Sequence, residues 1–284
     1  MQTDHRFSIS QPNFGIMTQQ PFLSMLRRLG GNVWAWLGSW WQIALFGVIV
    51  IAQALSPSTY DRTSRLVIAR QIVRATAPNL LWFTVLSALI SVVLIRIVIV
   101  TALSYGLSRF AIEMVVRVLV LELIPLTAAL FVALRYTLPG SAEVALMREQ
   151  GALDALRRKG IDPVAHEFLP RVLAGMFSVG MLGAVSCIMT LVLTYLALYG
   201  FTPWALAGYT RVVGQVFNPA VTLILVLKMF FFSVAVSFIP MASAYYDGLA
   251  NVRRHRGANG LPGIVRLFAV VLLVEVASLM GNYY

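Results

Sequence analysis

VLAGMFSVGMLGAVSCIMTLVLTYLALY, Val172–Tyr199, runs for 28 residues without a charged side chain. As a helix rising about 1.5 Å per residue it would reach roughly 42 Å. That is more than the ~30 Å hydrocarbon core of a bilayer requires. A helix that is apolar on every side belongs in a large protein core or in lipid. The whole chain has 284 residues, 59% hydrophobic and 12% charged, with a mean hydropathy of +0.82. Soluble domains carry about 25% charged residues, so lipid is the consistent solvent.

Four further stretches resemble the first. Pro78–Leu103 is broken only by Arg96, and Met114–Leu134 contains Arg117 and Glu122. Gln215–Ala242 contains only Lys228, and the shorter Leu267–Tyr284 contains Glu275. The expected fold is all-α and polytopic, with five transmembrane helices forming one membrane domain over 78–284.

The net charge of +11 could point to nucleic acid, but its distribution points elsewhere. Arg6, Arg27, Arg28, Arg62, Arg65, Arg70 and Arg74 precede the first span. Arg135, Arg148, Arg157, Arg158, Lys159 and Arg171 lie between the second and third. Arg253, Arg254, Arg256 and Arg266 lie between the fourth and fifth. Only Arg109, Arg117 and Arg211 fall on the opposite side. Cytoplasmic loops collect Lys and Arg, so the N-terminus is expected inside and the C-terminus outside, with no nucleic-acid partner. The polar start, MQTDHRFSISQPNFG, lacks the apolar core of a cleaved signal peptide.

Val33–Leu55, VWAWLGSWWQIALFGVIVIAQAL, is also long enough to cross. Arg27 and Arg28 precede it and Arg62 and Arg65 follow, so a single crossing would strand one cluster. Trp34, Trp36, Trp40 and Trp41 suit the headgroup level. The stretch reads as an interfacial or re-entrant elbow helix, about 22–55, within a cytoplasmic segment 1–77; a sixth span is the alternative.

Most catalytic constellations are missing from the sequence. There is no G-x-x-x-x-G-K-[ST] loop for ATP phosphates and no G-x-S-x-G elbow. His5, His166 and His255 are scattered, and Cys187 is alone in an apolar run. The expectation is a transmembrane subunit without enzymatic chemistry, cofactor or metal of its own.

The polar insertion between spans two and three carries the functional signal. Ala142–Lys159 reads as a helix, in a region about 141–160. Ser141 can cap it, Glu143 lies in its first turn, and Gly160 with Asp162-Pro163 ends it. Leu146, Met147, Leu153 and Leu156 form an apolar side; Arg148, Glu149, Asp154, Arg157 and Arg158 are left for polar surfaces. Such a helix on the basic side could take force from a soluble partner. An ordinary solvated loop helix would show the same pattern.

AEVALMREQGALDALRRKGIDPVAHEFLPRVLAG, from Ala142, resembles the signature of the MlaE permease family, membrane subunits of MCE-associated lipid ABC transporters. Ala142-Glu143, Met147, Leu153, Ala155, Leu156, Gly160, Ile161, Pro163 and Pro170-Arg171 fall in register. Upstream, LELIPLTAALFVALR (Leu121–Arg135) is similar to the family's RELGP…GR segment at Glu122, Pro125 and Arg135. The chain departs at Leu121, where the family has Arg, and at Leu134 and Tyr136, where glycines are lost. The family Glu-Gln position falls on Gly151-Ala152, two residues after this chain's own Glu149-Gln150. The likeness covers roughly Leu66 to the end and is strongest over 121–171.

The resemblance implies a permease of the bacterial inner membrane that moves phospholipid. It implies two cytoplasmic ATPase subunits holding ATP and Mg, a second permease chain in a homo- or heterodimer, and an outer ring of MCE proteins. It makes Glu143, Arg148, Glu149, Leu153, Asp154, Leu156 and Arg157 the ATPase-coupling candidates. A non-transporting scaffold and an ion-coupled secondary transporter are the other readings; few intramembrane acids and no inverted halves count against the latter.

Charges within a bilayer are costly and usually face a bundle interior or cavity. Arg96, Glu122, Lys228 and Glu275 are the candidates for a lipid path. Arg96 and Glu122 both fall roughly 10–12 Å below the outer surface at helical rise, so they could form a compensating pair. Structural pairing between helices and lining of a lipid cavity both fit these residues. The small residues of span three, Gly175, Gly180 and Gly183 among them, suit close helix packing, inside the bundle or between subunits.

Overall fold

In the computed structural model the chain is described at residue 38 and over 40–56, 62–107, 110–251 and 261–283. Most of the expected elbow before residue 40, Arg109 and the Arg253–Arg256 cluster lie outside those residues. Of the described residues 93% are helical and none forms a strand. Five helices are long and apolar enough to cross a membrane. The chain is therefore a multi-pass membrane protein.

A 16-residue apolar helix, α1 (Trp40–Leu55), comes first. It is about 24 Å long, short of the hydrocarbon thickness. The long helix α2 (Arg62–Ser104) follows. Then come α3 (Ala111–Glu149), the short α4 (Ala152–Arg158) and α5 (Val164–Tyr199). A 3₁₀ turn at Pro203–Ala205 leads into α6 (Leu206–Val216). The last two spans are α7 (Pro219–Asn251) and α8 (Leu261–Tyr283). The compact unit runs from Ile43 to Tyr284.

The span boundaries follow local chemistry. Asn218 and Asp162 each precede a proline. The Asn218 Oδ1 accepts from the Val221 N–H at 2.8 Å, and the Asp162 Oδ1 from the Val164 N–H at 2.9 Å. Each side chain thus caps orphan donors at a helix start, while proline occupies the first turn where its missing N–H costs nothing. Gly200 ends α5 with φ +62°.

Helix α5 is the bundle's centre, packed along α2 and against α3 and α7; α8 lies on α7. Its glycines show why. A Cβ at Gly175 would stand 2.7 Å from the Ser237 Oγ and 3.2 Å from the Thr137 Cγ2. One at Gly183 would stand 2.2 Å from the Met229 Cε. Both glycines therefore let α7 and α3 approach inside the subunit, whereas Gly180 faces open space. A buried Ser91–Thr190 hydrogen bond of 2.8 Å joins α2 to α5. Among lipid-like side chains such contacts hold helices together where hydrophobicity offers no preference.

The expected helix over Ala142–Lys159 differs from the one observed. Ser141 does not start it: α3 runs unbroken from Ala111 through Ser141 to Glu149, and the Ser141 Oγ donates to the Leu138 carbonyl at 2.7 Å. The break comes at Gly151, with φ +72°, and α4 follows. Gly151 is the residue that can take this left-handed corner without a Cβ clash. The expected end is observed, with Gly160 at φ +76°.

Candidate functional site

Three of the four intramembrane charges meet. Lys228 of α7 is 2% exposed. Its Nζ donates to the Glu122 Oε2 of α3 and lies 2.9 Å from the Glu275 Oε2 of α8. The second contact is an ion pair without hydrogen-bond alignment. The Asn282 Nδ2 of α8 donates to the Glu122 Oε1 at 3.1 Å. One cation thus ties together three spans. Glu122 pairs with Lys228 and not with Arg96, the partner that equal depth allowed. Depth along the axis placed them level, but Arg96 is on the exposed side of α2, and Glu122 is turned toward α7.

The backbone of α3 explains the turn. Val116–Leu123 is π-helical, and Pro125 follows after Ile124. In that register the Ile124 N–H reaches back to the Leu119 carbonyl. Pro125 has no N–H. Whether a residue at 125 bonded four or five back, the carbonyl left waiting is Leu121 or Val120. Both take side-chain donors from other helices. The Lys228 Nζ is 3.2 Å from the Leu121 oxygen, and the Cys187 Sγ donates to the Val120 oxygen at 3.6 Å. Pro125 and the π-helical stretch therefore create a polar spot, and Glu122 supplies its charge. Broken helical backbone is tolerated at membrane depth when neighbouring helices re-satisfy it.

At the opposite pole of the bundle, α1, α4 and the ends of α3, α5 and α7 share a second core. Phe46 of α1 packs edge-on to Phe168 and tilted against Tyr245, with ring centroids 5.6 and 5.5 Å apart. Val50, Val144, Leu153 and Met241 complete it. The Gln53 Nε2 of α1 donates to the Asp162 carboxylate. The guanidinium of Arg148 donates to the Tyr245 carbonyl and lies 5.7 Å from its ring.

This arrangement divides the coupling candidates. Leu153 is 7% exposed; Leu156 is half-buried against the same cluster, and Arg148 is engaged with Tyr245. Leu153 and Leu156 hold α4 to the bundle, and Arg148 ties the end of α3 to α7. Glu143, Glu149, Asp154 and Arg157 are exposed. Arg157 keeps a 3.5 Å contact to the Tyr245 hydroxyl, and Glu143 stands 4.0 Å from Arg171. Between the Gly151 and Gly160 corners, α4 presents Asp154, Arg157 and Arg158 outward.

Sequence alone does not assign Pro125 the unmasking of a carbonyl or Cys187 the covering of one; the three-residue spacing from Glu122 to Pro125 is the signal it offers.

Comparisons with known proteins agree with this layout. The sequence profile of the family described as Permease MlaE matches residues 68–280. A protein of Rickettsia conorii described as a probable ABC transporter permease is 30% identical over 183 residues, 63% of this chain and 67% of the relative. A protein of Rickettsia prowazekii with the same description matches to the same extent.

Proposed function

Because the chain belongs to the MlaE permease family, we propose that it is the membrane subunit of an ATP-driven transporter that moves phospholipid between the inner membrane and an MCE-domain protein outside it. The relatives' description as ABC transporter permeases supports the coarser part, a permease served by a separate ATPase. The resemblance over Leu121–Arg171 supports the finer part.

The observation that carries the reading is α4. A seven-residue helix is set between two glycine corners, anchored by Leu153 and presenting an acid and a base outward. On this reading Glu149, Asp154 and Arg157 meet the cytoplasmic ATPase dimer, and ATP and Mg belong to that partner. Leu153, Leu156 and Arg148 pass the push into the bundle, and α1 moves with them through Phe46 and Gln53. The N-terminus lies in the cytoplasm and the C-terminus in the periplasm, as the basic residues ask. Two permease chains form the pathway. Glu122, Lys228 and Glu275 hold α8 to α3 and α7 at its wall, with the carboxylates at the edge where a headgroup passes.

The test is co-purification of the chain with a cytoplasmic ATPase subunit, identified by mass spectrometry, combined with lipid flux in proteoliposomes. Asp154→Lys with Arg157→Glu should abolish ATPase association and ATP-dependent flux while leaving the permease folded. Intact association in the double variant would remove the docking assignment. Ion-driven flux by the chain alone would indicate a secondary transporter, and absence of any flux from the complete complex a scaffold.

A further inference from the structure

Tyr136 and Arg74 hold donors that the bundle does not use. The Gln71 Nε2 of α2 donates to the Tyr136 hydroxyl of α3 at 3.0 Å, and the hydroxyl's own proton meets no acceptor among the described residues. Two guanidinium groups stand near that hydroxyl, those of Arg171 on α5 and Arg74 on α2. Arg171 is already paired, with Glu167 at 2.5 Å and with Glu143 at 4.0 Å. Arg74 is exposed, with no hydrogen bond or ion pair to a described residue. Arg70, one turn nearer the start of α2, is exposed and unpaired in the same way.

Contacts along α5 fix the depth of this spot. The charge-free stretch Val172–Tyr199 is roughly 42 Å long against a core of ~30 Å, so about 6 Å of it passes each hydrocarbon edge. A Cβ at Gly175 would stand 3.2 Å from the Thr137 Cγ2, and the Ser178 Oγ donates to the Ala75 carbonyl at 3.4 Å. Gly175 and Ser178 lie about 4 and 9 Å along the helix from Val172. Tyr136 and Arg74, the neighbours of Thr137 and Ala75, therefore flank the hydrocarbon edge at the basic end of the bundle. The ruler along α3 agrees. Tyr136 is 14 residues beyond Glu122, about 21 Å at helical rise. Added to the depth of Glu122, that is roughly 31–33 Å below the outer surface, where a ~30 Å core ends.

The surface on either side of that edge identifies the occupant. From Arg74 the exposed side of α2 continues into the core through Pro78 to Leu81 and Trp82, which are 69% and 72% exposed. A cation at headgroup level followed by bare apolar helix matches the order of a phospholipid, phosphate first and acyl chains after. A guanidinium recognises phosphate oxygens through paired N–H donors, and basic pockets at a membrane face collect lipid headgroups. A soluble acidic partner or a free phosphate would match the cation and leave the apolar strip beside it unused.

We propose that Arg74 and Tyr136 bind the phosphodiester of one phospholipid, in the leaflet at the basic end of the bundle, with its acyl chains along Leu81 and Trp82. The site lies apart from the Glu122–Lys228–Glu275 cluster. It requires the chain to reside in lipid but not to transport it.

The full-length protein is titrated by native mass spectrometry with dioleoylphosphatidylglycerol and with dioleoylglycerol, which lacks the phosphate. Phosphatidylglycerol should bind about tenfold more tightly, the scale of one charge-assisted contact. Arg74→Gln should erase that difference, Arg74→Lys should keep most of it, and Tyr136→Phe should reduce it about threefold. Arg211→Gln, which removes an exposed charge from α6 on the opposite side, should leave it unchanged. Inorganic phosphate in excess should not displace the lipid. In parallel, benzoyl-phenylalanine at Leu81 is irradiated in membranes; its adduct should be a phospholipid, with lower yield in Arg74→Gln. Equal affinity for the two lipids would overturn the proposal, as would unchanged discrimination in Arg74→Gln or an equal loss in Arg211→Gln. Displacement by inorganic phosphate would make this a free-anion site, and a protein adduct at Leu81 a protein interface; either result also sinks it. No readout involves ATP or flux, so the site stands or falls separately from the transport reading.

Discussion

Replacing Lys228 by Met should be among the most damaging single changes available in this bundle. The Glu275 Oε2 is 2.9 Å from the Nζ. At an effective dielectric of about 20 that separation corresponds to a gross attraction of ~6 kcal/mol, much of it offset by the desolvation of both ions. The net loss is set by what Met leaves behind: Glu122 and Glu275 facing each other without a cation, and a Leu121 carbonyl without its donor. Removing one partner of a buried ionic group costs about 3–5 kcal/mol, and an orphaned carbonyl about 1–3 kcal/mol more. For a chain of this size the apparent melting temperature in detergent should fall by on the order of 10 °C. Tryptophan fluorescence during heating reads this directly. The triple variant Glu122→Gln, Lys228→Met, Glu275→Gln has no uncompensated charge and should recover most of the loss, because buried ionic clusters are often replaceable as a whole. A Lys228→Met protein melting within about 2 °C of wild type, or a triple variant no better than the single one, would refute the reasoning.

Three further outcomes follow from the same packing. Pro125→Ala returns an N–H to α3; in the Lys228→Met background it should recover about 1 kcal/mol, and identical melting of the single and double variants would count against the waiting carbonyls. Gly175→Ala should destabilise by about 1–3 kcal/mol through overpacking, while Gly183→Ala should cost less, because it meets the end of the flexible Met229 side chain; melting curves that rank them the other way would contradict the contact geometry. Phe46→Ala should cost about 3–5 kcal/mol as a large core truncation and should open α1 itself to limited proteolysis; unchanged digestion of Trp40–Leu55 would mean α1 is not part of the folded core.

Much of the architecture can be read from residues near one another in the chain. Val172–Tyr199 is a span on length and polarity alone, and Asp162-Pro163 and Gly160 mark real boundaries because capping and φ restrictions act within a few residues. Ser141 misled for the same reason. A serine before an acidic residue has the chemistry of a cap, yet the apolar helix behind it simply continues. Glu122, Lys228 and Glu275 are legible as intramembrane charges, but which of them pair is not, because 106 residues separate Glu122 from Lys228 and depth along an axis says nothing about rotation around it. Arg96 and Glu122 are level but face different ways. The π-helical turn that rotates Glu122 toward α7 depends on tertiary donors at Cys187 and Lys228. Leu153 and Leu156 were recognisable as an apolar side; that this side faces Phe46 and Phe168 required knowing where α1 returns.

The gap at Pro125 also bears on how the protein is made. As the chain enters the membrane in order, α3 arrives with two loose carbonyls and a carboxylate, each unsatisfied group costing several kcal/mol in hydrocarbon. Their donors come later, Cys187 on α5 and Lys228 on α7. Until translation has delivered both, α3 is a poor resident of lipid and is best kept beside the insertion machinery. A chain that ends before α7 lacks the Lys228 donor that the Leu121 carbonyl and Glu122 take in the complete bundle.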